Sequence, residues 1–167
     1  MSGIYIHIPF CKQACHYCNY HFSTSLKNKE SVINSMIKEI EIKSIGNNDM
    51  IETIYFGGGT PSFFDTSEIN KIIDSISKKF KISTNPEITL EANPDDLSSI
   101  KVKELSNSFI NRLSIGIQSF NDRELKLMNR SHNSKEAKNC IDDALKYYDN
   151  ISIDLIFGMP DSNLKTW

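Results

Sequence analysis

Three cysteines, Cys11, Cys15 and Cys18, fall within the eight residues CKQACHYC, directly after the apolar run IYIHIPF. Their spacing is C-x3-C-x2-C. Thiolates bind soft or borderline metals, chiefly zinc or the iron of a sulfide cluster. A structural zinc ion takes four protein ligands, commonly as two closely spaced pairs. That pattern fits this spacing poorly, but His16 or His21 could complete a Cys3His set, so a zinc-stabilised binding domain stays open. The sharper reading is a four-iron–four-sulfur (4Fe-4S) cluster on three thiolates. It leaves one iron with an open position, which is what separates a catalytic metal from a structural one. The fourth cysteine, Cys140, lies far along the chain among Ala137, Ile141 and Ala144. It reads as a buried thiol behaving as a small hydrophobe.

Other residues with chemical potential are spread along the chain. GGGTP (57–61) places three glycines in a row, with Gly58, Gly59 and Thr60 at its centre. Glycine lets backbone approach a ligand closely, although a tight turn explains the run about as well. It is not a phosphate loop, since the required spacing and lysine are missing. Glu91 stands in the otherwise apolar ITLEANP, and a buried carboxylate needs a partner or a ligand. Gln118 and Asp154 raise the same question, with a loop cap or a lysine partner as the plain alternative. Arg130 suits a carboxylate, with a solvated surface arginine as its alternative. His7 reads as a core or rim histidine, and His132 as a loop residue.

These residues need elements to carry them. Strand-type runs occur at 4–10, 53–59, 87–94, 111–120 and 151–160. Between them the apolar spacing turns helical. One helix is predicted over about 30–44, with Ile33, Met36, Ile37 and Ile40 on one face. A second follows a capping box at Asp65 and Glu68 and carries Ile69, Ile72, Ile73, Ile76 and Phe80. A third spans 97–107. A fourth spans 134–148, burying Ala137, Cys140, Ile141, Ala144 and Leu145. A further helix is expected to begin at Asp161 or Ser162. About five βα units in this order predict an α/β fold with a parallel sheet, an open or partial barrel. A complete eight-stranded barrel needs about 250 residues. Residues 1–167 are therefore expected to be one domain, the N-terminal portion of a longer protein. Every chemically unusual residue then falls at the carboxyl ends of the strands, where parallel α/β folds bind ligands.

Composition sets outer bounds. Of 167 residues, 39% are hydrophobic and 24% charged, ordinary for a globular chain. The net charge of -2, without long charge blocks, argues against nucleic acid or an acidic membrane as main partner. No apolar run approaches the ~18 residues of a membrane span. The N-terminus lacks the features of a signal peptide, so a reducing cytoplasm is expected.

CKQACHYC resembles the CxxxCxxC motif of the radical S-adenosylmethionine (SAM) enzymes. With YFGGGTPS, LEANP, NRLSIGIQSF and DLIFGMP, the chain resembles one branch: the oxygen-independent coproporphyrinogen III oxidases and their related heme chaperones. The likeness runs through essentially the whole chain. It implies a partial TIM-like barrel of the radical SAM type. It implies that Cys11, Cys15 and Cys18 ligate a 4Fe-4S cluster and that SAM chelates the fourth iron. Tyr5, the backbone of Tyr17, Gly58, Gly59, Thr60, Glu91, Gln118, Arg130 and Asp154 match SAM-contact positions. The implied chemistry is one-electron reductive cleavage of SAM, served by an electron donor. The oxidases carry a further cysteine two places after the third, where this chain has Tyr20. The heme chaperones show an aromatic residue there. The implied function is therefore to bind heme and pass it to an acceptor hemoprotein, with porphyrinogen oxidation as the alternative. The family's heme-ligating motif lies beyond this domain.

Overall fold

The computed structural model describes residues 2–160 and 162–163. Among the described residues, five strands form one parallel sheet in chain order: β1 (Ser2–Ile8), β2 (Met50–Gly58), β3 (Lys81–Ala92), β4 (Arg112–Gln118) and β5 (Ile151–Leu155). The helices between them are α1 (Lys29–Ser44), α2 (Thr66–Lys79), α3 (Ser99–Ser106), α4 (Asp122–Leu127) and α5 (Ser134–Ala144). The predicted α/β architecture of parallel βα units is what the chain adopts, as an open sheet.

The sequence explains why these elements form. In β4, Leu113, Ile115 and Ile117 are fully buried and Ser114 nearly so. A parallel strand covered on both faces has no solvent side to mark with polar residues. In α2, Ile69, Ile72, Ile73 and Ile76 recur at helical spacing and are all essentially inaccessible. Each such side chain contributes about 1.5–3 kcal/mol through burial. The predicted capping box starts this helix, with Glu68 Oε2 accepting from the Asp65 amide at 2.9 Å. Asn133 and Glu136 form another at the start of α5.

Several boundaries differ from expectation. β3 begins at Lys81, six residues before the predicted 87. Its first part, KISTNP, is polar and holds Pro86, which reads as a strand breaker. The ladder with β2 shifts register there, between Ile51 and Thr53, so the proline is accommodated. α5 ends at Ala144, and Leu145 beyond it is 62% exposed rather than buried. α4 has no counterpart among the expected helices. Its signal was present: Asn121 Oδ1 caps the Arg123 amide at 2.9 Å, and Asp122 and Glu124 fill the first turn. The helix start expected at Asp161 or Ser162 falls largely outside the described residues.

Candidate functional site

The cysteine segment leaves β1 and crosses the carboxyl end of the sheet. Its exit is fixed by close backbone approach. The Gly59 amide donates to the Ile8 carbonyl at 2.7 Å, and the Thr60 amide to the Phe10 carbonyl at 2.7 Å. A side chain on Gly59 would meet the Phe10 oxygen at 2.5 Å and the Ile8 oxygen at 2.8 Å. The middle of GGGTP thus serves strand-to-strand proximity. Gly58 has φ +108°, a conformation that suits glycine, and aims its amide at Glu91 Oε2, 3.2 Å away.

One cavity of about 350 Å3 gathers the strand ends. That volume lies in the range of small-molecule sites. Cys11, Cys15 and Cys18 line it, together with Tyr5, Tyr17, Gly58, Gly59, Thr60, Glu91, Gln118, Arg130 and Asp154. The three thiols and all the SAM-contact positions implied by the resemblance therefore border one space. A larger groove of about 790 Å3 runs between β1 and α1, lined by Ile4, Ile6, Val32 and Met36, and contains no cysteine.

Arg130 ties the cavity floor together. Its Nη2 donates to the Gly116 carbonyl at 2.7 Å and to Asn93 Oδ1 at 2.8 Å. Its Nη1 reaches Tyr17 Oη at 3.3 Å and Cys15 Sγ at 3.5 Å. The remaining Nε–H is buried with no partner among the described residues. A buried donor left open in a cationic group points to a missing acceptor.

Glu91 accepts from Tyr55 Oη at 2.8 Å on its other oxygen. Burial raises the Glu91 pKa above the usual carboxylate value, with nearby Asp154 adding to the rise and the bonds from Tyr55 and Gly58 opposing it. Burial and Glu91 push the Tyr55 hydroxyl up to about 12, so it stays a donor. Asp154 is exposed on β5, contrary to the expected burial, but its register beside Gly116 brings it to the same cavity. Gln118 takes a left-handed φ of 67° at the end of β4. Its side chain folds back over Gly116, where a Cβ would meet Nε2 at 2.8 Å.

The thiols have their own neighbours. Thr60 is buried and its hydroxyl donates to Cys11 Sγ at 3.4 Å. Burial pushes the Cys11 thiol up, and the Thr60 bond offsets part of that. The three cysteines are free. Among the described residues, no group of three or more His, Cys, Asp or Glu could hold a metal ion. Tetrahedral zinc needs its sulfurs about 3.8 Å apart, given Zn–S bonds of ~2.3 Å. The His16 Nδ1 is engaged elsewhere, donating to the Leu127 carbonyl at 2.9 Å. A four-iron cluster spans more space and suits three thiolates around a cavity. The donor set, the open cavity and the orphaned Arg130 Nε–H fit a cluster carrying a carboxylate-bearing ligand.

Residues 5–167 match the Radical SAM superfamily. The chain belongs to that family. Membership implies a 4Fe-4S cluster and SAM as cofactors. Among curated relatives, the radical SAM chain is 40% identical over 98% of its length to a heme chaperone, HemW, of Buchnera aphidicola, covering 44% of that protein. It is 38% identical over 99% of its length to HemW of Bacillus subtilis, covering 45%. The chain thus spans about half the length of these relatives. Its fold matches that of coproporphyrinogen III oxidase (HemN) of Escherichia coli, a radical SAM enzyme, with a TM-score of 0.90 at 24% identity, over 98% of this chain and 39% of that one. The partial-barrel expectation is thereby met, since radical SAM barrels are its structural neighbours.

Residues outside the expected contact set also build the cavity; Asn93, at the end of β3, was expected at this rim. Asn93 bridges Arg130 and, through Nδ2 at 3.3 Å, the Thr60 hydroxyl. Gly116 was readable as a glycine inside an apolar strand, a sign of close approach. Tyr55, Gln13 and Asn129 gave no local signal. Cys140 is 3% exposed on α5, as read. His7 stands at the rim, its ring against Gly58 and 3.2 Å from Tyr5 Oη. His132 is in a loop as read, but it is buried, with Nε2 donating to the Ile117 carbonyl at 3.1 Å.

Proposed function

We propose that this chain is the cluster- and SAM-binding portion of a heme chaperone, which binds heme and delivers it to hemoproteins. Residues 1–167 are taken as the N-terminal portion of a radical SAM core domain, the rest of the barrel and a C-terminal domain lying outside them. One observation carries the choice of branch. Tyr20 lines the mouth of the cavity beside Cys18 and is 67% exposed, at the position where the resembling oxidases have another cysteine. The two HemW relatives support the same choice.

In this reading Cys11, Cys15 and Cys18 hold the cluster as thiolates. Arg130 offers Nε–H to a carboxylate of SAM. Glu91 and Asp154 present negative charge to its amino group. Tyr5, the Tyr17 backbone, Gly58, Gly59, Thr60 and Gln118 form the remaining walls and exclude water. When bound, cluster and SAM supply one-electron reductive cleavage of SAM; the protein supplies orientation. An electron donor and an acceptor hemoprotein are the expected partners, and the cytoplasm the expected location. Among the described residues no helix is long and apolar enough to cross a membrane.

The test is direct. Full-length protein is reconstituted anaerobically with iron and sulfide, loaded with heme, and mixed with an apo-hemoprotein. Transfer of heme, read by the Soret band of the acceptor, is expected. Conversion of coproporphyrinogen III to protoporphyrinogen IX without heme transfer would replace this reading by the oxidase one.

A further inference from the structure

The cysteine segment has almost no internal structure. Within 11–18 the backbone makes one bond of its own, from the Cys18 amide to the Cys15 carbonyl at 3.2 Å. Its conformation must therefore come from outside. Much of it comes from the turn that ends α4. Gln13 Nε2 donates to Asn129 Oδ1 at 2.7 Å and to the Asn129 carbonyl at 2.9 Å. Asn129 Nδ2 donates back to the Ala14 carbonyl at 2.8 Å. The His16 amide donates to the Met128 carbonyl at 3.1 Å, and its ring to that of Leu127 at 2.9 Å.

The turn itself is rigidly set. Asn129 takes φ 56°, a left-handed corner that Asn tolerates better than most residues. The Arg130 amide closes back on the Leu125 carbonyl at 2.9 Å. Arg130, the next residue, enters the cavity floor and reaches Cys15 Sγ. One turn thus grips the cysteine segment from Gln13 to His16 and places the guanidinium against Cys15 in the same cavity.

We propose that Asn129 is a positioning residue that, with Gln13, holds the cysteine segment in the geometry that presents its thiols together. The proposal rests on the reading that these thiols hold a cluster. Asn is suited to the task for two reasons. It accepts the left-handed corner, and its amide both accepts from Gln13 and donates to Ala14. Glycine would keep the corner and lose both side-chain bonds. Aspartate would keep the acceptor and lose the donor.

The test compares full-length protein with the variants Asn129→Gly, Asn129→Asp, Gln13→Ala and the Asn129→Gly/Gln13→Ala double. The first measurement is amide hydrogen exchange in metal-free protein kept reduced. Asn129→Gly and Gln13→Ala are each expected to speed exchange of the His16 amide at least ten-fold, while β2 and β3 keep the parent rates. Asn129→Asp should fall between. The double variant should exceed either single one but fall short of the product of their effects, because the singles share the Gln13 Nε2–Asn129 Oδ1 bond while each leaves one other bond in place. The second measurement is loss of the reconstituted cluster to an iron chelator, followed by visible absorbance. The variants should lose it at least five-fold faster. Exchange within two-fold of the parent in both single variants overturns the proposal. So does faster exchange with unchanged cluster release, or multiplying effects in the double variant. A parent protein that takes up no iron sinks the cluster reading instead, while exchange still decides whether Asn129 holds the segment.

Discussion

Arg130 Nη1 lies 3.5 Å from Cys15 Sγ while Nη2 of the same side chain lies 2.7 Å from the Gly116 carbonyl. Two residues 115 positions apart thereby share the floor of one cavity. A guanidinium has five N–H donors, and four contacts are made inside the protein, which leaves Nε for a ligand. Replacing Arg130 by Met should weaken SAM binding by about 10- to 100-fold, the loss expected of a hydrogen bond to a charged group. Arg130→Lys should recover little, since a point charge cannot copy the fork. Equilibrium dialysis of SAM against reconstituted full-length protein measures this. Affinity within three-fold of the parent in Arg130→Met would argue against the assignment.

The four cysteines should separate cleanly by iron content. Cys11→Ala, Cys15→Ala or Cys18→Ala should each abolish most iron binding after anaerobic reconstitution. Cys140→Ala should retain the full parent content and cost about 1 kcal/mol of stability by urea unfolding. Cys140 is packed on α5 beside Ala137 and Ala144. Iron loss in Cys140→Ala with an intact fold would contradict this division.

Gly59→Ala tests the exit of the cysteine segment. Its added methyl would sit 2.5 Å from a backbone oxygen, which cannot turn away as a flexible side chain can. The expected cost is about 1–3 kcal/mol, typical of overpacking. Urea unfolding should show it as a lower midpoint with an unchanged slope. A midpoint equal to the parent's would mean that β1 and β2 can separate there at no cost.

His132 predicts a pH dependence. It is 4% exposed, and its Nδ1 is buried without a partner among the described residues. Burial lowers its pKa below 6.5, as does the Arg130 charge, while the Ile117 carbonyl and the acidic Asp95 and Glu136 oppose the shift. A depressed folded pKa means that the unfolded chain binds the proton first. The stability that neutral His132 contributes is present above pH ~6.5 and is lost as pH falls through the lower folded value. One proton sets a limiting slope of about 1.4 kcal/mol per pH unit. Urea unfolding of the metal-free protein between pH 7.5 and 5 should show this loss, and His132→Gln should flatten it. Equal slopes in parent and variant would place the dependence elsewhere.

Local patterns carried the parts of the fold that one element can announce. The isoleucines of α2 mark its buried face because helical periodicity is a property of neighbours three and four apart. The capping box at Asp65 and Glu68 is equally local. β3 was harder, because Pro86 reads as a break unless the register shift opposite it is known.

The donor set was also in the sequence: three thiols at C-x3-C-x2-C, a vacancy in the coordination they can supply, and Tyr20 in place of a further cysteine. The parallel βα order predicted that Glu91, Gln118 and Asp154 would meet those thiols at one rim, and they line the same cavity. Only the tertiary structure decided how the site is held. Gln13 meets Asn129 across 116 positions, and Asn93 meets Thr60 across 33. Such contacts leave no periodic trace, because they depend on where two loops from different strands end in space. It also decided that His132 is buried, since burial of a loop residue is set by what packs over it. Residue types fix which chemistry is available; the approach of distant loops fixes which atoms are left free to perform it.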